Sequence, residues 1–343
     1  MSVIGGVMLH AVGASFAALC YTPQKKVSQW SWQTYWLAQA FVCWFLLPII
    51  VAWITIPELM TVLEKAPSDA MWKAFGLGMA YGVGGTAFGI AIRYMGFSLT
   101  YAISIGISCV VGTLLPPFVR GELMTVLQQN GAEWIITGMI FGVVGIALCG
   151  LAGRYKEIDL AKSLKTQDSS FSIGKGLPLC LLAGVLSALY GFSIDQGQPI
   201  AEVAVEYGAG DYQSNVIYIF SNTGAFLVTL IYCLSLHRKQ GTFKEFVGKG
   251  KSPLTRNYIF AIITGLLWYS QFFFYGLGHV KMGDYKFTSW AVHMIMLVLF
   301  STVAGLALRE WVHAKGKTIW TLALALAVLV AAVLALTIGN SMA

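Results

Sequence analysis

Charge is what this chain has least of. Asp, Glu, Lys and Arg together make up 11% of its 343 residues, well under the ~25% of an average soluble domain. A fold so poor in charge cannot cover a water-facing surface with polar groups, which excludes a soluble globular domain, a disordered chain and a nucleic-acid-binding domain. Cysteine is sparse as well. Cys20, Cys43, Cys109, Cys149, Cys180 and Cys233 each fall in an apolar stretch, with no C-x-x-C pair and no histidine at metal-ligand spacing. That excludes a secreted disulfide scaffold and a thiolate metal centre, and leaves buried, inert thiols. The G-x-x-x-x-G-K-[ST] phosphate loop is missing, so ATP hydrolysis drives nothing here. No H-E-x-x-H, G-x-S-x-G or carboxylate cluster supports hydrolysis or metal catalysis, and no arginine-rich helix suggests a voltage sensor. An enzyme, a metal and a cofactor are therefore not expected.

What is abundant is apolar surface. The chain is 57% hydrophobic with a mean hydropathy of +0.72, and a bilayer span needs about 20 apolar residues in succession. Such segments occur near residues 3 to 21, 33 to 56, 71 to 92, 97 to 119, 133 to 152, 175 to 195, 213 to 236, 257 to 279, 287 to 308 and 318 to 338. The expected fold class is an all-α integral membrane protein with ten transmembrane helices. The N-terminal segment lacks the basic region of a signal peptide and carries His10 in its apolar core, so it is expected to be a transmembrane helix. Glycine, 37 residues, concentrates within the spans, where small residues let helix backbones approach closely.

The formal charge of +7 resolves into a topology signal. The odd-numbered loops hold 17 of the 22 Lys and Arg residues, including Lys25 and Lys26, Arg93, Arg154, Lys156, Arg238, Lys239 and Lys315, against 5 in the even loops. By the positive-inside rule the odd loops are cytoplasmic, which places both termini outside. The sixth loop, Gly197 to Asp211, has no Lys or Arg. Glu202 and Glu206 lie four apart beside Ile200 and Val203, the pattern of a short amphipathic helix at the outer interface or of a structured loop.

An internal repeat is visible. At an offset of 187 the third span lies over the eighth, aligning Gly78 with Gly265, Gly89 with Gly276, Met95 with Met282 and Gly96 with Gly283. Gly13 of the first span falls opposite Gly184 of the sixth, at a shorter offset. Five helices per half is an odd number, so the halves are expected to be inverted repeats: residues 1–152, a basic cytoplasmic linker over 153–174, and 175–343. Secondary transporters place their site at the interface of such halves.

Polar residues at membrane depth carry an insertion cost of ~2.5 kcal/mol or more per charge, so each asks for a reason. His10 shares a helical face with Gly13, Ala14 and Ala17, and is a proton-accepting, sugar-binding or packing histidine. Trp268, Gln271, Phe272 and Tyr275, at i, i+3, i+4 and i+7, line one face of the eighth span. That face offers rings and a neutral amide without charge, the combination a sugar requires, although packing aromatics give the same spacing. Trp290, His293 and Met294 share a face of the ninth span. Histidine, with an ordinary pKa of ~6.5, is suited to loading and unloading a proton. Asp195 is the one carboxylate close to a span interior, and pairs with a proton, a cation or headgroup water. Arg93 at the end of the third span snorkels or contacts substrate.

These residues also carry a family resemblance over nearly the whole chain. Tyr21-Thr-Pro-Gln-Lys25-Lys26-Val, Gln29-Trp30-Ser31-Trp32, Arg93-Tyr94-Met-Gly96, Gly112-Thr113-Leu, Trp268-Tyr-Ser-Gln271-Phe272-Phe273-Phe274-Tyr275, Gly278-His279, Ser289-Trp290 with Val292 before His293-Met294, and Glu310-Trp311 resemble the bacterial L-rhamnose/proton symporters, a sugar branch of the drug/metabolite transporter superfamily. The resemblance implies a five-plus-five inverted fold and uptake of L-rhamnose, or L-lyxose, with a proton. It places His10, Trp32, Trp268, Gln271, Tyr275, Trp290 and His293 at matching positions. The expected partners are a small neutral deoxy sugar, a proton and membrane lipid. His10, Trp32, Trp268, Gln271, Tyr275 and Trp290 are the expected substrate residues, with His293, His10 or Asp195 as the proton-coupling group. Two competing functions are a drug or metabolite exporter of the same fold and a membrane sugar sensor without flux.

Overall fold

Each of the ten apolar segments winds into a helix long enough to cross a bilayer, as it must where hydrocarbon offers the backbone no other hydrogen-bond partner. The computed structural model describes residues 3–20, 22–164, 172–248 and 253–342. The ten helices are α1 (Val3–Leu19), α2 (Trp32–Thr55), α3 (Ser68–Met95), α4 (Phe97–Val119), α5 (Ala132–Leu164), α6 (Ile173–Gln196), α7 (Asn215–Gln240), α8 (Leu254–Val280), α9 (Ser289–Ala307) and α10 (Gly316–Ser341). No strand occurs among the described residues, and the six cysteines are free and buried. The side chains of Arg93 and Lys162 and the basic residues Lys165, Lys249 and Lys251 lie outside the described set.

Two elements differ in extent from the hydropathy pattern. α5 continues twelve residues past the expected end of its span, to Leu164. Arg154, Lys156 and Glu157 favour helix, Arg154 and Glu157 pair at 3.3 Å one turn apart, and the extension does work further on. Asp159 on it accepts hydrogen bonds from the Lys315 amide at 3.1 Å and the Thr318 hydroxyl at 2.8 Å, capping the first turn of α10. In the sixth loop a helix forms over Gln198–Glu206, started by Pro199 and burying Ile200, Ala201 and Ala204 while Glu202 and Glu206 face outward. Of the two forms open for this loop, the helix is the one adopted.

The helices are distributed over two compact units, one from Met1–Ala18, Gly84–Phe192 and Gly278–Ala343, the other from Leu19–Val83 and Ser193–Leu277. The first contains α4, α5, α9 and α10 whole; the second contains α2 and α7 whole. Within the first unit, α5 and α10 lie against each other with leucine knobs over glycine holes. A Cβ at Gly138 would sit 2.7 Å from Leu336, and one at Gly145 2.6 Å from Leu329, a seven-residue period on both helices. Within the second unit, α3 and α7 approach even more closely: a Cβ on Gly224 would fall 2.1 Å from the Phe75 carbonyl oxygen and one on Gly78 2.0 Å from that of Ser221.

The second unit has its own carboxylate cap. Glu245 Oε2 accepts hydrogen bonds from the Ser31 amide at 2.7 Å, the Ser31 hydroxyl at 2.8 Å and the Thr34 hydroxyl at 2.5 Å, satisfying the start of α2. Partial burial pushes the Glu245 carboxyl up, but these hydrogen bonds together with nearby His237 outweigh it and hold the group below its ordinary value. A depressed folded-state pKa contributes stability that is complete above the ordinary carboxylate range and lost as pH falls through the lowered value. Thermal unfolding of the wild type should therefore show a midpoint that drops as pH is lowered through and below ~4. In Glu245→Gln this part of the pH dependence should be missing; an unchanged acid profile in the variant removes the cap from the account.

Candidate functional site

The second unit holds the aromatic and amide face. Trp268, Gln271, Phe272 and Tyr275 are all buried along α8, as their spacing implies. Trp268 meets Trp36 and Trp44 nearly edge-on, with ring centroids 5.6 and 5.5 Å apart, and Trp44 meets Tyr81 at 5.9 Å. Trp32 is not in this contact. It stacks on Trp36 at 5.1 Å and stays 38% exposed, one ring removed from Trp268. Two further tryptophans, Trp36 and Trp44, were thus missed by sequence reasoning. They stand eight residues apart, off a common face in an ideal helix, but Phe41–Leu46 between them is π-helical and holds an additional residue per turn. The Trp44 indole N–H is buried and has no acceptor among the described residues.

Polar groups flank the same helices. Asp195 is half-buried, takes a hydrogen bond from Gln196 at 3.3 Å, and lies within electrostatic reach of Tyr275. Ser193 donates to the Ala74 carbonyl at 2.8 Å and meets the Ser221 hydroxyl at 2.6 Å, tying α6 to α3 and α7. Ser221 and Asn222 are fully buried.

The first unit gathers the histidines. His10 is fully enclosed on α1, on the same buried face as Gly13, Ala14 and Ala17. His293 is 2% exposed, and the two imidazoles stand edge to face at 5.9 Å. Gly278 makes the room: a Cβ there would lie 3.0 Å from His10 Nε2. α9 is buried on all sides from Ser289 to Val298, so the single face shared by Trp290, His293 and Met294 understates its enclosure. Trp290 is wedged between two glycines, with a Cβ at Gly112 falling 2.5 Å and one at Gly191 2.8 Å from its indole. Its N–H donates to the Ser108 carbonyl at 3.0 Å, so the donor is already occupied within the protein. A further histidine, His279, meets the Ser289 hydroxyl at 3.0 Å.

A groove of about 490 Å³ along α4 and α5 is walled by Leu114, Ile136, Met139 and other apolar side chains. It lacks the donors and acceptors a sugar requires. No cluster of three or more metal-ligating side chains occurs among the described residues.

Ten spanning helices with neutral polar and aromatic groups at depth define a multi-pass membrane carrier. The chain belongs to the L-rhamnose-proton symport protein (RhaT) family, whose profile matches residues 1–343. It is 33% identical over 314 residues to an L-rhamnose-proton symporter of Mannheimia succiniciproducens, covering 90% of each chain. It is 31% identical over 335 residues to L-rhamnose-proton symporters of Yersinia pestis and Yersinia pseudotuberculosis, covering 96% of each. This is a transport family and not a family of enzymes, and the match favours neither the exporter nor the sensor.

The indole cradle yields a test. Gly112→Ala places a methyl group against a ring fenced on its far side by Gly191, an overpacking that should cost about 1–3 kcal/mol. The thermal midpoint in detergent should fall, and the double variant with Trp290→Phe should recover part of the loss. A single variant as stable as wild type would mean the ring is not confined.

Proposed function

We propose that this protein imports L-rhamnose, with L-lyxose as a second candidate sugar, together with a proton, by alternating access. The buried, uncharged face of α8 carries this reading. Trp268 and Tyr275 offer apolar surface to the C–H faces of a pyranose, and Gln271 offers a donor and an acceptor to its hydroxyls. The Trp44 N–H beside Trp268 supports the same assignment, since a buried donor without an acceptor costs ~1–3 kcal/mol unless a ligand hydroxyl supplies one. Trp32 extends this aromatic wall through Trp36, and Trp290 shapes the histidine chamber. The 6-methyl of rhamnose needs an apolar subsite, and one methyl there discriminates by only ~1–3 kcal/mol.

His10 and His293, paired at 5.9 Å, are the first candidates for the coupling proton, with Asp195 as the third. One charge moving with the sugar gains about 2.3 kcal/mol per 100 mV, roughly 40- to 50-fold accumulation at ~1.4 kcal/mol per decade. The Lys- and Arg-rich odd loops support an inner-membrane orientation with periplasmic termini and lipid around the spans. Inverted five-helix repeats, over residues 1–152 and 175–343 with 153–174 joining them, and membership of the drug/metabolite transporter superfamily are part of the proposal. The composition of the units supports the repeat: α4 and α5 keep company with α9 and α10, and α2 with α7, each set pairing helices five apart in order.

Purified protein in liposomes should give an inward current on addition of L-rhamnose and none with sugars bearing a charged group. Gln271→Ala should abolish the rise in thermal midpoint that rhamnose produces while the protein still folds; retention of that rise takes Gln271 out of the site. Trp44→Phe, which keeps a ring and loses the donor, should weaken the same response about 5- to 100-fold in apparent affinity. His10→Ala, His293→Ala and Asp195→Asn should separate uphill uptake from sugar exchange. If all three variants still concentrate rhamnose under a pH gradient, the proton rides elsewhere.

A further inference from the structure

We propose that His279 and Ser289 form the entry relay that delivers the coupling proton to the His10 and His293 pair. This rests on the proton-coupled import proposed above and adds the route by which the proton reaches its carrier. His279 stands in the last turn of α8, at the end that leads into the eighth loop, one of the even loops that the charge count places outside. It is half-buried, whereas Ser289, His293 and His10 are enclosed, so His279 is the accessible end of the series.

The contacts run in the same order. His279 Nδ1 meets Ser289 Oγ at 3.0 Å. Ser289 begins α9, and His293 is four residues further on, hence on the same face one turn deeper. The His293 ring then meets His10 at 5.9 Å, and His10 lies against Gly278, the residue preceding His279. The ionisable side chains that face these groups are His279 and His293 toward His10, and Lys286 toward His279.

The transfer changes only N–H and O–H bonds. An outer proton binds the His279 imidazole. Its Nδ1–H goes to Ser289 Oγ as that oxygen releases its own proton inward, through one water spanning the turn, to the His293 ring. The hydroxyl ends unchanged, the His279 imidazole returns to its neutral form, and one positive charge has moved to the carrier pair. Serine suits this position because a hydroxyl donates and accepts at once.

The test uses the full chain in liposomes with L-rhamnose and separates movement of sugar from movement of the proton. His279→Gln keeps a hydrogen-bonding group toward Ser289 but cannot carry the proton. Rhamnose counterflow at equal pH should stay at the wild-type rate, while uptake driven by a pH gradient should fall about tenfold or more and lose its dependence on outer pH across the histidine range. Ser289→Ala should behave alike, and Ser289→Thr should restore driven uptake. Driven uptake at the wild-type rate in His279→Gln overturns the relay, as does loss of counterflow together with driven uptake, which would mark a structural role. Wild-type vesicles that exchange rhamnose but never concentrate it under a pH gradient would overturn the coupled reading itself.

Discussion

Hydrocarbon makes no hydrogen bonds, and that single property of the solvent governs how this chain is built. A polar side chain carried into the membrane must be enclosed by protein or bonded to its own helix, as the Ser270 hydroxyl is to the Leu266 carbonyl. Among the described residues His10, His293, Gln271, Asn222, Ser193 and Ser221 are all buried. The apolar exterior and the polar interior are consequences of one constraint, applied to the two sides of each helix.

Glycine is the means of enclosure. Where α3 and α7 meet, backbones rather than side chains are in contact, because Gly78 and Gly224 leave no room for even a methyl group. Gly112 and Gly191 serve the large Trp290 ring in the same manner, and Gly278 serves His10. Dispersion contacts accumulate at such close approach, and in a bilayer they do much of what the hydrophobic effect does in water. The two carboxylate caps, Asp159 at α10 and Glu245 at α2, do complementary work at the helix ends, where backbone N–H groups emerge from the spans with no partner of their own.

The fold was legible because its signals are local. A run of apolar residues dictates a spanning helix whatever surrounds it, and all ten segments were evident from hydropathy. What lay outside that signal was the continuation of α5 beyond the membrane edge: hydropathy records where lipid ends, whereas the helix ends where its hydrogen bonds do. The candidate site was legible in part. The α8 face followed from spacing along one helix, and His10 and His293 from their rarity at depth. Trp36, Trp44 and the Ser108 carbonyl were not, since their contacts arise from meetings between helices distant in sequence. Trp32 shows the same limit from the other side. Its place in the resemblance is clear, yet the ring in contact with Trp268 is Trp36, one helical turn away.

The π-helical turn Phe41–Leu46 in α2 bears on how chain length is tolerated inside a span. Eight residues occupy a little over two turns of α-helix and would leave Trp36 and Trp44 about 80° apart around the axis; one widened turn absorbs the surplus and brings both rings to Trp268. A loop outside the membrane accepts the gain or loss of a residue with little effect. Within this turn the count itself is structural: removing one residue leaves the hydropathy of the span intact and rotates everything after it away from the ring it is meant to touch. In any comparison of sequences, a gap of one at this point separates helices that look alike in composition but present different faces.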